Sequence, residues 1–224
     1  MSSRTGGRSP KSSKAHRPPL TRDQVLRAAV KLADSGGIKS LSMRKLAHSV
    51  GVEAMSLYNH VPNKDEILSG IVELVAQEID LAEDETDWRI GMRRRVMSAH
   101  QLLSIHPWAA TIWMTSGTPG TGRLGFGNAV LGGLRKAGFS TDVVYHAFHV
   151  LQSHLLGYTL AESNFELDED QLKKVAKRFL ENFPAEQYPD LAEHIRHHME
   201  PTEAHKDTFA FGLDLILNSL ERLR

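Results

Sequence analysis

Apolar residues recur at helical spacing along most of the chain beyond residue 20. The first stripe, Val25 to Ala33, follows a favourable N-cap at Thr21 and stops at Gly36-Gly37. Comparable stripes bounded by Gly, Pro or capping residues predict ten more helices, at 42–49, 53–60, 64–80, 88–105, 107–115, 123–137, 141–164, 168–183, 191–199 and 203–223. No segment sustains the apolar and polar alternation of a strand. The pattern therefore predicts an all-α fold.

Residues 1–19 differ from everything that follows. They are rich in Ser, Gly, Pro, Lys and Arg and have no apolar period, which predicts a disordered basic tail. The short helices after the tail are expected to form an N-terminal domain over 20–68, and the longer ones a C-terminal domain over 69–224. The chain has no cysteine, no run of 18 apolar residues and no secretory signal, so we expect a cytoplasmic protein without a membrane partner.

Charge is divided unevenly along the chain although the net charge of all 224 residues is zero. Residues 1–64 hold 12 cations and 3 anions, a charge of +9, whereas 65–224 hold 15 cations and 24 anions, a charge of −9. A basic N-terminal part on an acidic body is typical of a protein whose one end meets a polyanion. The charge therefore favours double-stranded DNA as a partner of the N-terminal domain.

The segment 42–61 carries the pattern of a helix-turn-helix. Two short helices meet at Gly51, and the apolar positions Leu46, Ala47, Val50, Val52 and Leu57 can pack on the first helix. The second short helix would then stand out as a ridge that fits the DNA major groove. We predict a three-helix DNA-binding domain.

Specific motifs resemble the tetracycline-repressor (TetR) family of transcriptional regulators. They are T-R-x-x-V-L-x-A-A-x-x-L-A-x-x-G at 21–36, L-S-x-R-x-L-A at 41–47, V-G-V at 50–52, S-L-Y-x-H-V at 56–61 and N-K-x-x-x-L at 63–68, with similar motifs at 87–88, 137–140 and 156–162. The resemblance implies a homodimer with a DNA-binding domain and a C-terminal domain for effector binding and dimerisation.

The resemblance also implies which residues meet DNA. The residues expected to cap the short helices or to contact phosphates and base edges are Ser42, Arg44, Ala54, Met55, Ser56, Tyr58, Asn59, His60 and Lys64. Hydroxyls and the imidazole would donate to phosphates, and Ala54 or Met55 would touch a thymine methyl. Met55 and Asn59 stand where the tetracycline repressor itself has Pro and Trp, so we expect a different operator.

An aromatic group with few polar side chains predicts an effector cavity in the C-terminal domain. Its expected lining is Trp113, Met114, Phe126, His149, Gln152 and Tyr158, with His149 as the polar group. Trp113 falls where the tetracycline repressor has its magnesium-site histidine, so we expect a small, largely apolar effector rather than a tetracycline–magnesium complex. His146 and His149 have the spacing of two metal ligands, but we predict neither a metal nor a cofactor.

The helices at 141–164 and 203–223 are expected to form a four-helix bundle with their copies in a second subunit. Phe209, Leu213, Ile216, Leu217 and Leu220 make an apolar stripe that we expect to need a partner chain.

The sequence thus predicts a ligand-responsive repressor that binds a palindromic operator as a homodimer. It contains no G-x-S-x-G, H-E-x-x-H or phosphate-binding loop, and we interpret the GTPGTG run at 117–122 as a plain loop, so we do not expect an enzyme. Two alternatives stay open here: an architectural DNA-binding protein without an effector, and an α-helical enzyme.

Overall fold

The computed structural model describes residues 19–164, 169–197, 199 and 207–224. Within these residues it contains eleven helices and no strand, which confirms the all-α prediction. The helices are α1 (Arg22–Ser40), α2 (Met43–Val50), α3 (Ala54–Leu57), α4 (Lys64–Gln77), α5 (Trp88–Ile105), α6 (Pro107–Thr115), α7 (Thr121–Lys136), α8 (Thr141–Asn164), α9 (Glu169–Glu181), α10 (Pro189–His197) and α11 (Thr208–Glu221). The predicted tail lies outside the described residues except for Pro19. No described helix is long and apolar enough to cross a membrane.

Local side-chain chemistry explains where α1 and α2 begin. Thr21 and Gln24 form a reciprocal capping box at the start of α1, and the Ser42 hydroxyl accepts the backbone N–H of Lys45 at the start of α2. The regular helix of α1 is interrupted where the sequence predicted its end. Gly37 has a φ of 67° and a non-helical backbone, and a short helical segment continues beyond this kink to Ser40.

The second helix of the helix-turn-helix is shorter than predicted. α3 covers four residues instead of the stretch 53–60, because the chain turns after Leu57. The N–H groups of His60 and Val61 both donate to the Leu57 carbonyl, at 2.9 and 3.1 Å. The Leu57 side chain is fully buried and fixes this turn against the core of the domain.

α4 is the helix that joins the two parts of the chain. It packs against α1 on one side and against α5, α6 and α7 on the other. Its contact with α7 is close: a Cβ atom at Gly122 would lie 2.5 Å from the backbone oxygen of Glu73. The GTPGTG run is therefore not a plain loop. Its last two residues start α7, and Gly122 lets that helix approach α4.

The apolar stripe of α11 is buried within one chain. Phe209, Leu213, Leu217 and Leu220 are buried, and α11 packs on α5 and α8. Gly212 permits this packing, since a Cβ there would lie 2.5 Å from Cε1 of His154. The expectation that this stripe needs a partner chain was wrong, because its partners lie in the same subunit. The other face of α11 instead exposes large apolar residues, with Phe211 at 65%.

Candidate DNA interface and its links to the C-terminal domain

The surface around α3 exposes most of the residues expected to meet DNA. Met55 is 76% exposed, and Ser56, Tyr58 and Asn59 are exposed beside it. Ala54 and His60 are half-buried, because both lie next to the segment that anchors the turn at Leu57. The structure thus gathers these side chains on one protruding edge, where bases and phosphates could reach them.

Residues on α2 and at the start of α4 flank that edge. Ser42 and Arg44 are exposed at the first turn of α2, and Asn63 caps α4 by accepting the Glu66 N–H at 2.8 Å. Lys64 is half-buried, and its Nζ donates to the Ile38 carbonyl at 3.3 Å. Lys64 therefore also ties the start of α4 to the end of α1, a role that the sequence did not indicate.

A carboxylate on α1 links the DNA-binding part to the C-terminal part. Oδ1 of Asp34 accepts hydrogen bonds from Nδ1 of His106 and Nε1 of Trp108, both at 2.7 Å. His106 lies at the junction of α5 and α6, and Trp108 is in the first turn of α6. A movement of α6 would therefore act directly on α1.

A buried ion pair forms a second link, between α4 and α7. Arg123 is 7% exposed, and its Nε donates to Oε1 of Glu73, while its backbone N–H donates to Oε2 at 3.0 Å. Nη1 and Nη2 of Arg123 donate to the carbonyls of Trp113 and Thr118, at 3.2 and 3.5 Å. One side chain therefore joins α4, the end of α6 and the loop before α7.

The ion pair keeps Glu73 ionised despite its burial. Burial raises the pKa of this carboxyl, but hydrogen bonds from the Arg123 side chain and from the N–H groups of Arg123 and Gly120 outweigh it. The pKa of Glu73 therefore lies below its ordinary value.

The six residues predicted to line the effector cavity do not lie together. Trp113 and Phe126 are buried in an edge-to-face contact with ring centroids 5.7 Å apart. Tyr158 is half-buried and packs on Phe209, and Gln152 is half-buried on α8. Two residues lie at the surface instead. Met114 is 60% exposed because Trp113, its neighbour on α6, faces inward, and His149 is exposed.

His149 and the other candidate metal ligand, His146, both point to the surface of α8, and the His149 ring packs on Tyr145. Within the part of the chain that the structure describes, no three metal-binding side chains cluster. The described clefts of the C-terminal domain have other linings. One of about 1040 Å³ follows α5, and one of about 750 Å³ lies between α5 and α7.

Two family models match the chain. The model for bacterial regulatory proteins of the tetR family matches residues 25–71, and the model for the tetracyclin repressor-like C-terminal domain matches residues 81–224. The chain belongs to the TetR family. The first match contains the helix-turn-helix and most of α4, and the second contains α5 to α11, so the family relationship extends over both parts of the protein.

Individual TetR-family proteins are similar over much of the chain. An HTH-type transcriptional regulator of Saccharopolyspora erythraea is 34% identical over 155 residues, which are 69% of this chain and 66% of that protein. The HTH-type transcriptional repressor DrrR1 of Streptomyces coeruleorubidus is 29% identical over 97% of this chain and 82% of its own. The TetR family protein ActR of Streptomyces coelicolor, solved in complex with (S)-DNPA, has a TM-score of 0.72 and 25% identity, covering 90% of this chain and 97% of that one. These relatives are regulators, not enzymes.

Proposed function

We propose that this TetR-family protein is a ligand-responsive transcriptional repressor in the cytoplasm. Its domain over 20–68 binds a palindromic operator as part of a homodimer, and a small, largely apolar effector in the domain over 69–224 releases the DNA. The observation that carries the proposal is the protruding α3 edge, joined to the C-terminal helices through Asp34 and Glu73. DrrR1 is a repressor by name, and ActR was solved with a small molecule, which supports both halves of the proposal.

The α3 edge suits the major groove in shape and chemistry. It presents the exposed Met55 for apolar contact with bases and the hydroxyls of Ser56 and Tyr58 for phosphates. The charge of +9 over residues 1–64 supplies the attraction to the DNA backbone. Since a homodimer has two-fold symmetry, it would recognise two inverted half-sites about one helical turn apart.

Dimerisation would use the outer face of α8 and α11. Val150, Leu215 and Leu223 are exposed there and line a shallow apolar cleft of about 440 Å³, and Phe211 is exposed on α11 as well. Exposed apolar residues grouped in this way are typical of a protein–protein interface. If a second copy of the chain places the same face against this one, the apolar faces of both subunits are covered. The α8 and α11 helices of the two subunits then form a four-helix bundle.

The effector would act where α6 and α7 meet. Trp113 of α6 and Phe126 of α7 fill this region with aromatic surface. A ligand inserted between the two rings would separate α6 from α7. α6 holds α1 through Trp108, and α7 holds α4 through Arg123, so this separation would shift the two helices that carry the DNA-binding residues.

Selection from random DNA duplexes tests the DNA-binding half of the proposal. The purified protein should enrich a palindrome, and its affinity for that DNA should fall steeply with salt. Tyr58→Phe should weaken binding, while Tyr188→Phe, which changes an exposed tyrosine outside the DNA-binding domain, should leave it unchanged. No enriched palindrome would contradict the proposal, and equal affinity for all duplexes would favour an architectural protein.

Calorimetry tests the effector half. A panel of uncharged aromatic compounds should yield a ligand that lowers operator affinity by about 5- to 150-fold, the usual range of allosteric coupling. Phe126→Ala should weaken the binding of that ligand, whereas Met114→Ala, which changes an exposed side chain, should leave its binding unchanged. Tight binding of tetracycline that depends on magnesium, with no response to the panel, would overturn this assignment.

A further inference from the structure

Arg95 on α5 carries a buried charge without an acidic partner. The residue is 7% exposed, its Nε donates to the Leu81 carbonyl at 2.9 Å, and its Nη1 lies 3.8 Å from the Met92 sulfur. Among the residues that the structure describes, no carboxylate forms an ion pair with Arg95. Burial lowers the pKa of Arg95, while the charges of Asp80 and Glu83 act in the opposite sense. A buried cation is costly unless an anion or hydrogen bonds compensate it.

The guanidinium of Arg95 lines the cleft of about 750 Å³ between the segment 81–87, α5 and α7. The α7 side of this cleft is made of small residues: Gly125, Ala129, Gly132 and Gly133. A Cβ atom at Gly125 or Gly132 would meet nothing within 4 Å, so there is open space above the helix. Trp88 adds an aromatic wall at the N-terminus of α5. The cleft therefore combines room, an aromatic side chain and a cation that no carboxylate pairs with.

The acidic residues at the rim form no ion pair with this cation within the described part of the chain. Oε1 of Glu85 accepts the backbone N–H groups of Thr86 and Asp87, and Oδ1 of Asp87 accepts those of Arg89 and Ile90. These carboxylate oxygens are directed at the backbone. Glu83 is exposed, and Lys136 and Arg224 add positive charge to the same rim. With acidic groups nearby, the cleft is better suited to a single negative charge than to a multiply charged anion.

We propose that this cleft is a binding site for a small aromatic monocarboxylate. The carboxylate would accept hydrogen bonds from the Nη atoms of Arg95, a geometry in which a guanidinium is especially favourable. The aromatic part would lie between Trp88 and the glycine surface of α7. The site is separate from the proposed effector cavity, because α7 turns Phe126, Val130 and Leu134 into the core and presents Gly125, Ala129 and Gly132 to the cleft.

A matched pair of ligands tests the need for the negative charge. Calorimetric titration of the full chain should show 1-naphthoate binding at least ten-fold more tightly than 1-naphthamide, which has the same ring and no charge. Trp88 fluorescence should change on binding of the acid, and Trp88→Phe should abolish the optical signal. Neither measurement involves DNA, so the result does not depend on the proposed repressor function. Equal binding of acid and amide, or no binding of either, would overturn the proposal.

Two variants locate the site. Arg95→Gln should remove the preference for the acid, whereas Arg93→Gln, on the exposed face of α5, should leave it unchanged. Gly132→Leu should fill the cleft and block naphthoate without altering Arg95, and it decides the question if Arg95→Gln does not fold. If either Arg95→Gln or Gly132→Leu binds naphthoate as tightly as the unchanged chain does, the ligand binds elsewhere and the proposed site is wrong.

Discussion

The Glu73–Arg123 pair allows a quantitative test of how α4 is held to α7. Glu73→Gln keeps the size of the side chain and removes the charge that compensates Arg123. Both side chains are largely buried, at 13% and 5% exposure, so water cannot replace the lost carboxylate. Breaking a buried ion pair by removing one partner costs about 3–5 kcal/mol. Because Arg123 also donates to two carbonyls and the amide oxygen can still accept one hydrogen bond, we expect a loss of about 3 kcal/mol.

Chemical denaturation followed by circular dichroism measures this loss, at one fixed protein concentration because dimerisation would add to stability. Glu66→Gln is the matched control. It removes a carboxylate that faces Arg22 at 3.7 Å with both side chains about half exposed, and such pairs contribute less than about 1 kcal/mol. The double variant Glu73→Leu with Arg123→Met should recover much of the loss, because it leaves no unpaired charge.

The same pair sets a pH dependence with a definite sign. The pKa of Glu73 is lower in the folded protein than its ordinary value of 4.5, so ionisation of this group stabilises the fold at neutral pH. That contribution is lost as the pH falls from about 4.5 through the lower folded pKa. The stability difference between the unchanged chain and Glu73→Gln should therefore shrink in this range. A loss below about 1 kcal/mol at pH 7, or a difference that grows on acidification, would refute the reasoning.

Substitutions at three other places in the structure test further contacts. Asp34→Ala removes the acceptor of two hydrogen bonds between α1 and the α5–α6 junction, and denaturation should show a loss of about 1–2 kcal/mol, with no loss contradicting the link. Phe211→Glu with Leu215→Glu should give a folded monomer by sedimentation equilibrium, whereas Leu213→Glu should prevent folding; a dimeric double variant would exclude the proposed interface. Gly122→Val should lower stability by about 1–3 kcal/mol in thermal unfolding, since its Cβ would clash with α4, and an unchanged Tm would count against that close contact.

The DNA-binding part was largely predictable because its determinants are local. Thr21, Ser42 and Asn63 cap the helices that follow them, and Gly51 takes the left-handed conformation that ends α2, with a φ of 72°. The length of α3 was not predictable in the same way. A helix and a tight turn after Leu57 bury that side chain equally well, so the apolar pattern does not distinguish them.

The stripe on α11 shows what periodicity leaves out. The spacing of Phe209, Leu213 and Leu217 correctly indicated one buried face, but the same spacing serves an intramolecular or an intermolecular contact. The partner is decided by the path of α5 and α8, which depends on the whole fold. The opposite face of α11 exposes Phe211 and Leu215. The sequence pattern did not predict this exposure, because periodicity alone does not distinguish a second apolar face from the buried one.

The links between the two parts were beyond sequence reasoning because their members are far apart in the chain. Asp34 lies 72 and 74 residues from the two donors that it binds, and Glu73 lies 50 residues from Arg123. A lone aspartate near a helix end and a lone arginine after a glycine-rich loop are ordinary surface residues in a sequence. Only the fold turns both into partly or fully buried contacts.

The placement of these two links bears on how the proposed effector would work. One link fastens α1 to α6, and the other fastens α4 to α7, while α1 and α4 pack on each other. The proposed effector site is the edge-to-face contact between Trp113 of α6 and Phe126 of α7. In the proposed mechanism a ligand there would drive the two attachment points apart and would strain the α1–α4 contact that orients α3. Asp34→Ala frees α1 from α6 and leaves Trp113 and Phe126 unchanged, so an effector should still bind this variant but should release DNA less completely.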